Sequence, residues 1–203
     1  MDWEWGNIIS GPGYAHSGEY IWATGLIDTY SNSSNSWLTS NWTYIGKSAS
    51  ISIWHWFDCE ATNRGFWDGG NISVNYGMGW QDIYPIEDYP CHLDDYNEIM
   101  PWEPAFSGTL TGNYWHKSVF PLHSFTPPCS VRIGFHFSSD DNTTRYGWAI
   151  DDVCIAARTE REPLVRWFDV HGDTVYIAAY GVRAQITSTE IPVSYTHLTL
   201  PTN

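Results

Sequence analysis

Hydrophobic and polar residues alternate with a period of two in four parts of this chain, which is typical of β-strands with one buried face. These segments are residues 49–57, 71–76, 131–137 and 148–155. The best helical segment, residues 94–100, is short and acidic, and a loop is the alternative interpretation. Many short strands without helices between them predict an all-β fold, a jelly-roll-like antiparallel β-sandwich.

The first alternating segment also predicts how its strand is buried. One face carries Ile51, Ile53, His55 and Phe57, and the other carries Trp54 and Trp56. Because both faces carry aromatic residues, we expect this strand to be covered partly on each side.

The organisation of the chain predicts one main module and two further segments. Residues 1–157 carry the strand signals, and the Pro-rich, acidic stretch 84–107 within them is typical of a functional loop. Residues 158–190 comprise a charged linker and strands at 164–170 and 174–179, which pack on the module or begin a second one. We favour the second interpretation. Residues 191–203 resemble a translated sequencing adapter and are left out of fold reasoning.

Composition excludes several classes of protein. Lys and Arg number 9 against 23 Asp and Glu, and the formal net charge of −14 excludes a polybasic surface for nucleic acid or anionic lipid. A hydrophobic content of 42% with 17% aromatic residues excludes a disordered chain. No apolar run reaches the roughly 20 residues that a membrane helix requires.

Several fragments, in order, resemble one known family. They are Asp2-Trp3-Glu4-Trp5-Gly6, Ser10-Gly11-Pro12, Ala15-His16-Ser17-Gly18, Trp22-Ala23-Thr24, 55–60, 67–70, 104–108, 135–140 and 147–153. This pattern resembles the MAM-like jelly-roll module of immune-inhibitor-A-type peptidases and bacterial cleaved adhesins. The resemblance covers most of residues 2–157 and implies an extracellular location, with neighbouring domains in a longer chain.

The chain departs from that family at two places. An acidic strand that usually precedes the first fragment is missing, so we expect the sandwich to lack its first strand and Met1 to be an internal methionine. The start Met1-Asp2-Trp3-Glu4 has no signal-peptide character. Residues 75–80 lack the Asp of a second acidic Gly-Gly turn, which removes support for an ion at that turn.

Calcium is the cofactor that the sequence favours, because oxygen-rich acidic loops suit a hard cation. Asp151 and Asp152 lie inside an apolar strand, where one carboxylate must point to the sandwich interior or its edge and needs partners. The alternative to metal ligation is hydrogen bonding to backbone amides of a neighbouring loop. Asp68 and Glu60 are the next metal-ligand candidates.

The four cysteines, Cys59, Cys91, Cys129 and Cys154, fit an oxidising compartment. If the third and fourth strands form a hairpin, Cys129 and Cys154 lie opposite each other, which predicts the pairs Cys129–Cys154 and Cys59–Cys91. In a jelly roll these two strands may instead belong to opposite sheets, and the pairing stays open.

No catalytic motif is found: His-Glu-x-x-His, Gly-x-Ser-x-Gly and a phosphate-binding glycine loop are all missing from the sequence. We therefore predict a non-catalytic extracellular binding or adhesion module for a glycan or protein ligand, with Trp80 and Trp102 as ligand-binding aromatics. The alternatives are a structural accessory domain of a secreted peptidase and, less favoured, a sandwich-fold glycan hydrolase.

Overall fold

A computed structural model describes residues 2–46, 49–110, 114–122 and 129–156, together with the backbone of three later strands. The chain divides into two compact units, Met1–Thr159 and Glu160–Asn203. The sequence analysis places its boundary after residue 157.

The first unit is built from short and long β-strands. Its described strands are β1 (Glu4–Gly6), β2 (Ile21–Ala23), β3 (Asn35–Thr39), β4 (Thr43–Ile45), β5 (Ser50–Asp58), β6 (Ala61–Thr62), β7 (Gly65–Phe66), β8 (Gly69–Asn75), β9 (Trp80–Asp82), β10 (Cys91–His92), β11 (Pro104–Ala105), β12 (His116–Pro121), β13 (Cys129–Ser138) and β14 (Gly147–Ala156). The four predicted strands correspond to β5, β8, β13 and β14, so the alternation located them correctly.

Two five-stranded antiparallel sheets form the body of this unit. Sheet A has the strand order β1-β2-β14-β5-β12, and sheet B has the order β3-β13-β8-β9 with β4 also paired to β13. Along the long strands the chain changes sheet at each step: β5 is in sheet A, β8 in B, β12 in A, β13 in B and β14 in A. The switching of successive long strands between sheets A and B confirms the predicted all-β sandwich. It also means that β13 and β14 do not form a hairpin.

The core lies between the two sheets. It includes Ile51, Ile53, Phe57, Phe120, Trp148 and Ile150 from sheet A and Ile45, Ile72, Val74, Val131, Ile133, Phe135 and Phe137 from sheet B. His55 is fully buried on the same face of β5, as the alternation predicts. The outward face of β5 is covered too, because Trp56 packs with Ile8, Leu26 and Trp115 in a second cluster.

Residues 84–107 form a compact segment of loops and two short strands, without a helix. Strands β10 and β11 pair within it, with Cys91 opposite Ala105. Leu93, Met100 and Ala105 form a small core of their own. For the segment 94–100, the loop alternative is therefore correct.

The second unit contains three antiparallel strands, β15 (Val165–His171), β16 (Thr174–Ala179) and β17 (Val182–Thr187). The first two match the predicted hairpin, whereas β17 was not predicted. The charged linker and the adapter-like tail 191–203 lie outside the described residues. Within the described part of the chain, no helix is long and apolar enough to cross a membrane.

Candidate functional site

Three acidic residues meet at the place where both sheets end. Glu60 follows β5, Asp68 precedes β8 and Asp140 follows β13. The antiparallel register pairs Ser138 of β13 with Gly69 of β8, which brings Asp140 beside Asp68. The N–H of Trp67 donates to the carbonyl of Glu60 at 3.2 Å and closes the short connection between β5 and β8. We call Glu60, Asp68 and Asp140 the acidic centre.

The carboxylates of the acidic centre are close together. Each residue offers one carboxylate oxygen, and these three oxygens lie within 4.8 Å of one another. Asp68 is fully buried, Glu60 is 8% exposed, and Asp140 is half-buried. Like charges at this separation repel each other, and burial adds a desolvation cost, so the cluster needs compensation.

Asp68 has a full set of protein partners. Its Oδ2 accepts the hydroxyl of Tyr30 at 2.6 Å, and its Oδ1 accepts the backbone N–H of Asp140 at 2.8 Å. The pKa of Asp68 is raised to about 7, mainly by burial and also by the charges of Asp140 and Glu60, whereas the hydrogen bonds from Tyr30 and Asp140 oppose the shift. The ionised form of Asp68 therefore has a large desolvation cost, even though both of its oxygens accept hydrogen bonds.

Glu60 is the residue of the acidic centre that has a carboxylate oxygen without a hydrogen-bond donor. Among the described residues, its Oε2 is a buried oxygen with no hydrogen-bond partner. Burial raises the pKa of Glu60, and the charge of Asp140 adds to this effect. A buried carboxylate oxygen without a donor is costly, and a bound cation is one way to satisfy it.

The predicted carboxylates Asp151 and Asp152 do not point into the sandwich. The register of β14 against β5 shifts after Asp151, and Asp152 has φ +45°, which is the geometry of a β-bulge. Asp151 is half-buried and Asp152 is exposed, and β14 is an inner strand of sheet A. The prediction that one of them faces the interior or an edge is therefore wrong, because the bulge redirects the strand.

These two carboxylates instead hold the loop before β2. Asp151 Oδ2 accepts the backbone N–H of Ser17 at 2.9 Å, as the hydrogen-bond alternative in the sequence analysis expects. Asp152 accepts the Ser17 hydroxyl at 2.7 Å and lies 2.7 Å from Nδ1 of His16. The His16 ring stacks on Trp54 with centroids 3.9 Å apart. His16, Asp151 and Asp152 also have mutually close ligand atoms, but each of the three side chains bonds to protein.

The four cysteines are free thiols in this structure. Cys129 lies in β13 and Cys154 in β14, so they belong to different sheets, as the second alternative for these strands requires. Cys129 is half-buried and Cys154 is exposed, and the hairpin that would place them opposite each other is not formed. Cys59 and Cys91 are both buried; burial raises the pKa of both thiols, and the charges of Asp68 and Asp58 add to the shift at Cys59.

The two predicted ligand-binding tryptophans lie in different surroundings. Trp80 is in edge strand β9, and its ring contacts Trp37 with centroids 5.0 Å apart. Trp102 lies in the loop before β11 with φ +65° and is 64% exposed. Only Trp80 therefore belongs to an aromatic cluster among the described ring contacts.

Sequence reasoning missed three residues that matter at these sites: Asp140, Tyr30 and Trp37. Asp140 ends the polar Ser138-Ser139-Asp140 segment after a predicted strand, and an acidic residue at a strand end was the available signal. Tyr30 and Trp37 carry no local signal, because their partners Asp68 and Trp80 are 38 and 43 residues away in sequence.

The fold and this geometry define an all-β sandwich with an acidic centre at one end. No family model matches the chain. The chain is 24% identical over 164 residues to Bacillopeptidase F of Bacillus subtilis strain 168, an alignment that covers 78% of this chain and 9% of that protein. The chain therefore spans only a small part of that much longer relative.

Proposed function

We propose that residues 2–156 are a non-catalytic accessory module of a larger extracellular protein, stabilised by a calcium ion at the acidic centre. The observation that carries this proposal is the buried Oε2 of Glu60, which has no partner among the described residues and belongs to a cluster with Asp68 and Asp140. A cation at this point would satisfy the oxygen and offset the repulsion between three carboxylates.

The donor set favours calcium over transition metals. The three residues offer oxygen only, and hard divalent cations prefer carboxylate and carbonyl oxygens. Calcium also accepts irregular coordination with six to eight ligands, so backbone carbonyls or water can complete the sphere. Asp151 and Asp152 are less suited to this role, because all four of their carboxylate oxygens have protein partners, whereas Oε2 of Glu60 in the acidic centre has none among the described residues.

The position of the acidic centre predicts a structural role for the ion. Glu60 follows a strand of sheet A, whereas Asp68 and Asp140 flank strands of sheet B. An ion bound by all three would join the two sheets at one end of the sandwich. Binding to the folded state alone then stabilises the fold in proportion to ligand concentration.

Thermal unfolding of the full chain with calcium and with EDTA tests the metal site. At about 100 times the dissociation constant, calcium adds roughly 2.7 kcal/mol, which corresponds to an increase in Tm of about 5–10 °C for a chain of this size. Glu60→Gln should abolish that increase, and the matched control Glu98→Gln, at an exposed position, should retain it. An EDTA-treated chain whose Tm does not respond to calcium would contradict the proposal.

The role of the module in its parent protein is either ligand binding or structural support. The exposed aromatic residues favour binding of a glycan or protein ligand at the cell surface. The similarity to part of Bacillopeptidase F favours a second candidate, a structural accessory domain of a peptidase. Sequencing the locus tests the second candidate, which requires a peptidase domain in the same reading frame.

A further inference from the structure

Two tryptophans and a histidine form a layered aromatic platform on the outer face of sheet B. The ring of His136 stacks on Trp37 with centroids 4.0 Å apart and planes 13° apart. Trp37 in turn contacts Trp80, with centroids 5.0 Å apart and planes tilted by 30°. Trp80 keeps 37% of its surface exposed, whereas Trp37 and His136 are half-buried. Trp80 is thus the most exposed ring of the platform.

Gly134 makes this arrangement sterically possible. A Cβ atom at Gly134 would lie 2.7 Å from the Trp80 ring and 2.8 Å from the Trp37 ring. Both six-membered rings therefore lie directly on the backbone of β13, which a larger residue would prevent. The ring of Trp80 reaches across β8 to this position, since β9 pairs with β8 and β8 pairs with β13.

The platform is held rigidly before any ligand binds. His136 Nε2 lies 2.9 Å from Oδ1 of Asn35, which fixes the imidazole that supports Trp37. Burial lowers the pKa of His136 to about 4, so the imidazole is neutral at physiological pH. Aromatic rings fixed in place lose little conformational entropy on binding, and this improves affinity.

Polar side chains border the platform. The register of the strands places Asn75 and Arg132 in the same cross-strand row as Trp80, and Thr39 and Asp82 in the same row as Gly134. Hydrogen bonds fix two of these groups: Arg132 donates to Thr39 Oγ1 at 2.7 Å, and Asp82 accepts the Ser73 hydroxyl at 2.6 Å. The border therefore offers amide, guanidinium, hydroxyl and carboxylate groups around a flat aromatic centre.

We propose that this platform binds a neutral, flat-faced pyranose glycan of the cellulose or chitin type, with one sugar ring stacked on Trp80. This inference deepens the proposed binding role and rests on it. The C–H groups on the flat face of a pyranose are weakly positive and pack against the negative face of an indole ring, while the bordering groups can pair with the hydroxyls at the ring edge.

The composition of this face favours a glycan over a protein partner. In β3, β8 and β13 the residues between the core positions face outward, and none of these outward residues has an aliphatic side chain. A stable protein interface buries about 800 Å² per partner around an apolar core, and two rings bordered by polar groups do not supply that core. The net charge of −14 disfavours acidic polysaccharides through long-range repulsion.

Binding of the full chain to defined carbohydrates tests the proposal. The probes are microcrystalline cellulose and chitin in pull-down assays, and cellohexaose and chitohexaose in calorimetry, with polygalacturonate as the acidic comparison. We expect binding to at least one neutral probe and none to polygalacturonate. Trp80→Ala should weaken the neutral interaction by about tenfold or more, as loss of a stacking aromatic does for other planar ligands.

Tyr96→Ala is the control, because this aromatic side chain is 73% exposed and makes no ring contact among the described residues. It should bind within about twofold of the wild type. Asp82→Ala, at an exposed position outside the ring stack, should weaken binding at least threefold and provides a second variant if Trp80→Ala does not fold.

Failure to bind any neutral probe, or full binding by folded Trp80→Ala, would overturn the proposal that the platform binds a glycan. A chain that responds to calcium but binds no glycan rejects only this inference. A chain that binds glycan without a calcium response rejects only the metal site.

Discussion

The hydroxyl of Tyr30 donates a hydrogen bond to Oδ2 of Asp68 at 2.6 Å. The same hydroxyl accepts the backbone N–H of Glu60 at 3.1 Å, so one buried phenol connects two residues of the acidic centre. Burial raises the pKa of Tyr30 well above its usual range, and the nearby negative charges add to the effect. The phenol therefore stays protonated and remains a donor to Asp68.

We expect Tyr30→Phe to lower the free energy of unfolding by about 1–3 kcal/mol, because it leaves a buried carboxylate oxygen and a buried N–H without their partner. Urea denaturation at pH 7 in EDTA measures this change. Tyr96→Phe is the matched control, since Tyr96 is exposed, and it should shift stability by no more than about 0.5 kcal/mol. Equal stability of Tyr30→Phe and wild type would show that the hydrogen bond contributes nothing.

His55 is a buried, neutral histidine in the core. Its Nδ1 accepts the indole N–H of Trp148 at 3.2 Å, and its Nε2 lies 3.0 Å from the Ser118 hydroxyl. Protonation at Nδ1 would place two N–H groups against each other. Burial, with a smaller contribution from the charge of His116, lowers the pKa of His55 to about 3 from its ordinary 6.5.

A lowered histidine pKa makes stability depend on pH in a defined direction. Between pH 6.5 and about 3, His55 is protonated in the unfolded state but stays neutral in the folded state. The contribution of His55 to stability is therefore fully present above pH 6.5 and is lost as the pH falls. We expect this group to contribute a loss of up to about 4 kcal/mol at pH 3. Urea denaturation at several pH values measures the slope.

The variant His55→Gln isolates this contribution. It should be less stable than wild type at pH 7, because the packing around Trp148 is disturbed, and its stability should fall less steeply on acidification. His92→Gln, at an exposed position, should follow the wild-type slope. If the slope of His55→Gln equals that of the wild type, then His55 is not the group responsible.

The strands of this fold could be predicted from sequence, because burial of one face leaves a period of two along the chain. Strand β5 shows this directly: Ile51, Ile53 and Phe57 face the core and Trp56 faces a second cluster. Pairing between strands could not be predicted, because it depends on contacts far apart in sequence. Strands β13 and β14 follow each other closely, yet each pairs with strands of its own sheet.

The acidic centre illustrates the same limit. Glu60 and Asp68 were predicted as the next metal-ligand candidates because oxygen-rich acidic loops suit a hard cation. Asp140 joins them only through the register of β13 against β8, which a single sequence does not reveal. The expected inward carboxylate at Asp151 or Asp152 is wrong for a different reason: a bulge of one residue after Asp151 turns Asp152 away from the interior, and alternation does not reveal a bulge.

The cysteines should differ sharply in reactivity if they are free thiols. Cys154 is exposed and should react with Ellman's reagent first, and half-buried Cys129 should follow. Cys59 and Cys91 are buried with raised pKa values, so they should react only after unfolding, because the thiolate is the reactive form. Mass spectrometry of the labelled chain assigns each site. Fewer than four reactive thiols in denaturant without reductant would instead demonstrate a disulfide.

Substitution of Asp152 tests whether an ion binds at the acidic centre or at the cluster of His16, Asp151 and Asp152. Hydrogen bonds from Ser17 and His16 hold its pKa below the ordinary value, so its contribution is present at neutral pH and is lost as the pH falls. The group is exposed, and Asp152→Asn should therefore reduce the free energy of unfolding by less than about 1 kcal/mol. It should also increase proteolysis in the loop that contains Ser17.

The calcium response of this variant is the decisive measurement. Asp152→Asn should keep the full increase in Tm with calcium, whereas Glu60→Gln should lose it, because of these two clusters of described residues the acidic centre is the one with a buried oxygen that has no partner. The opposite result, a response lost in Asp152→Asn and retained in Glu60→Gln, would place the ion beside His16, Asp151 and Asp152 instead.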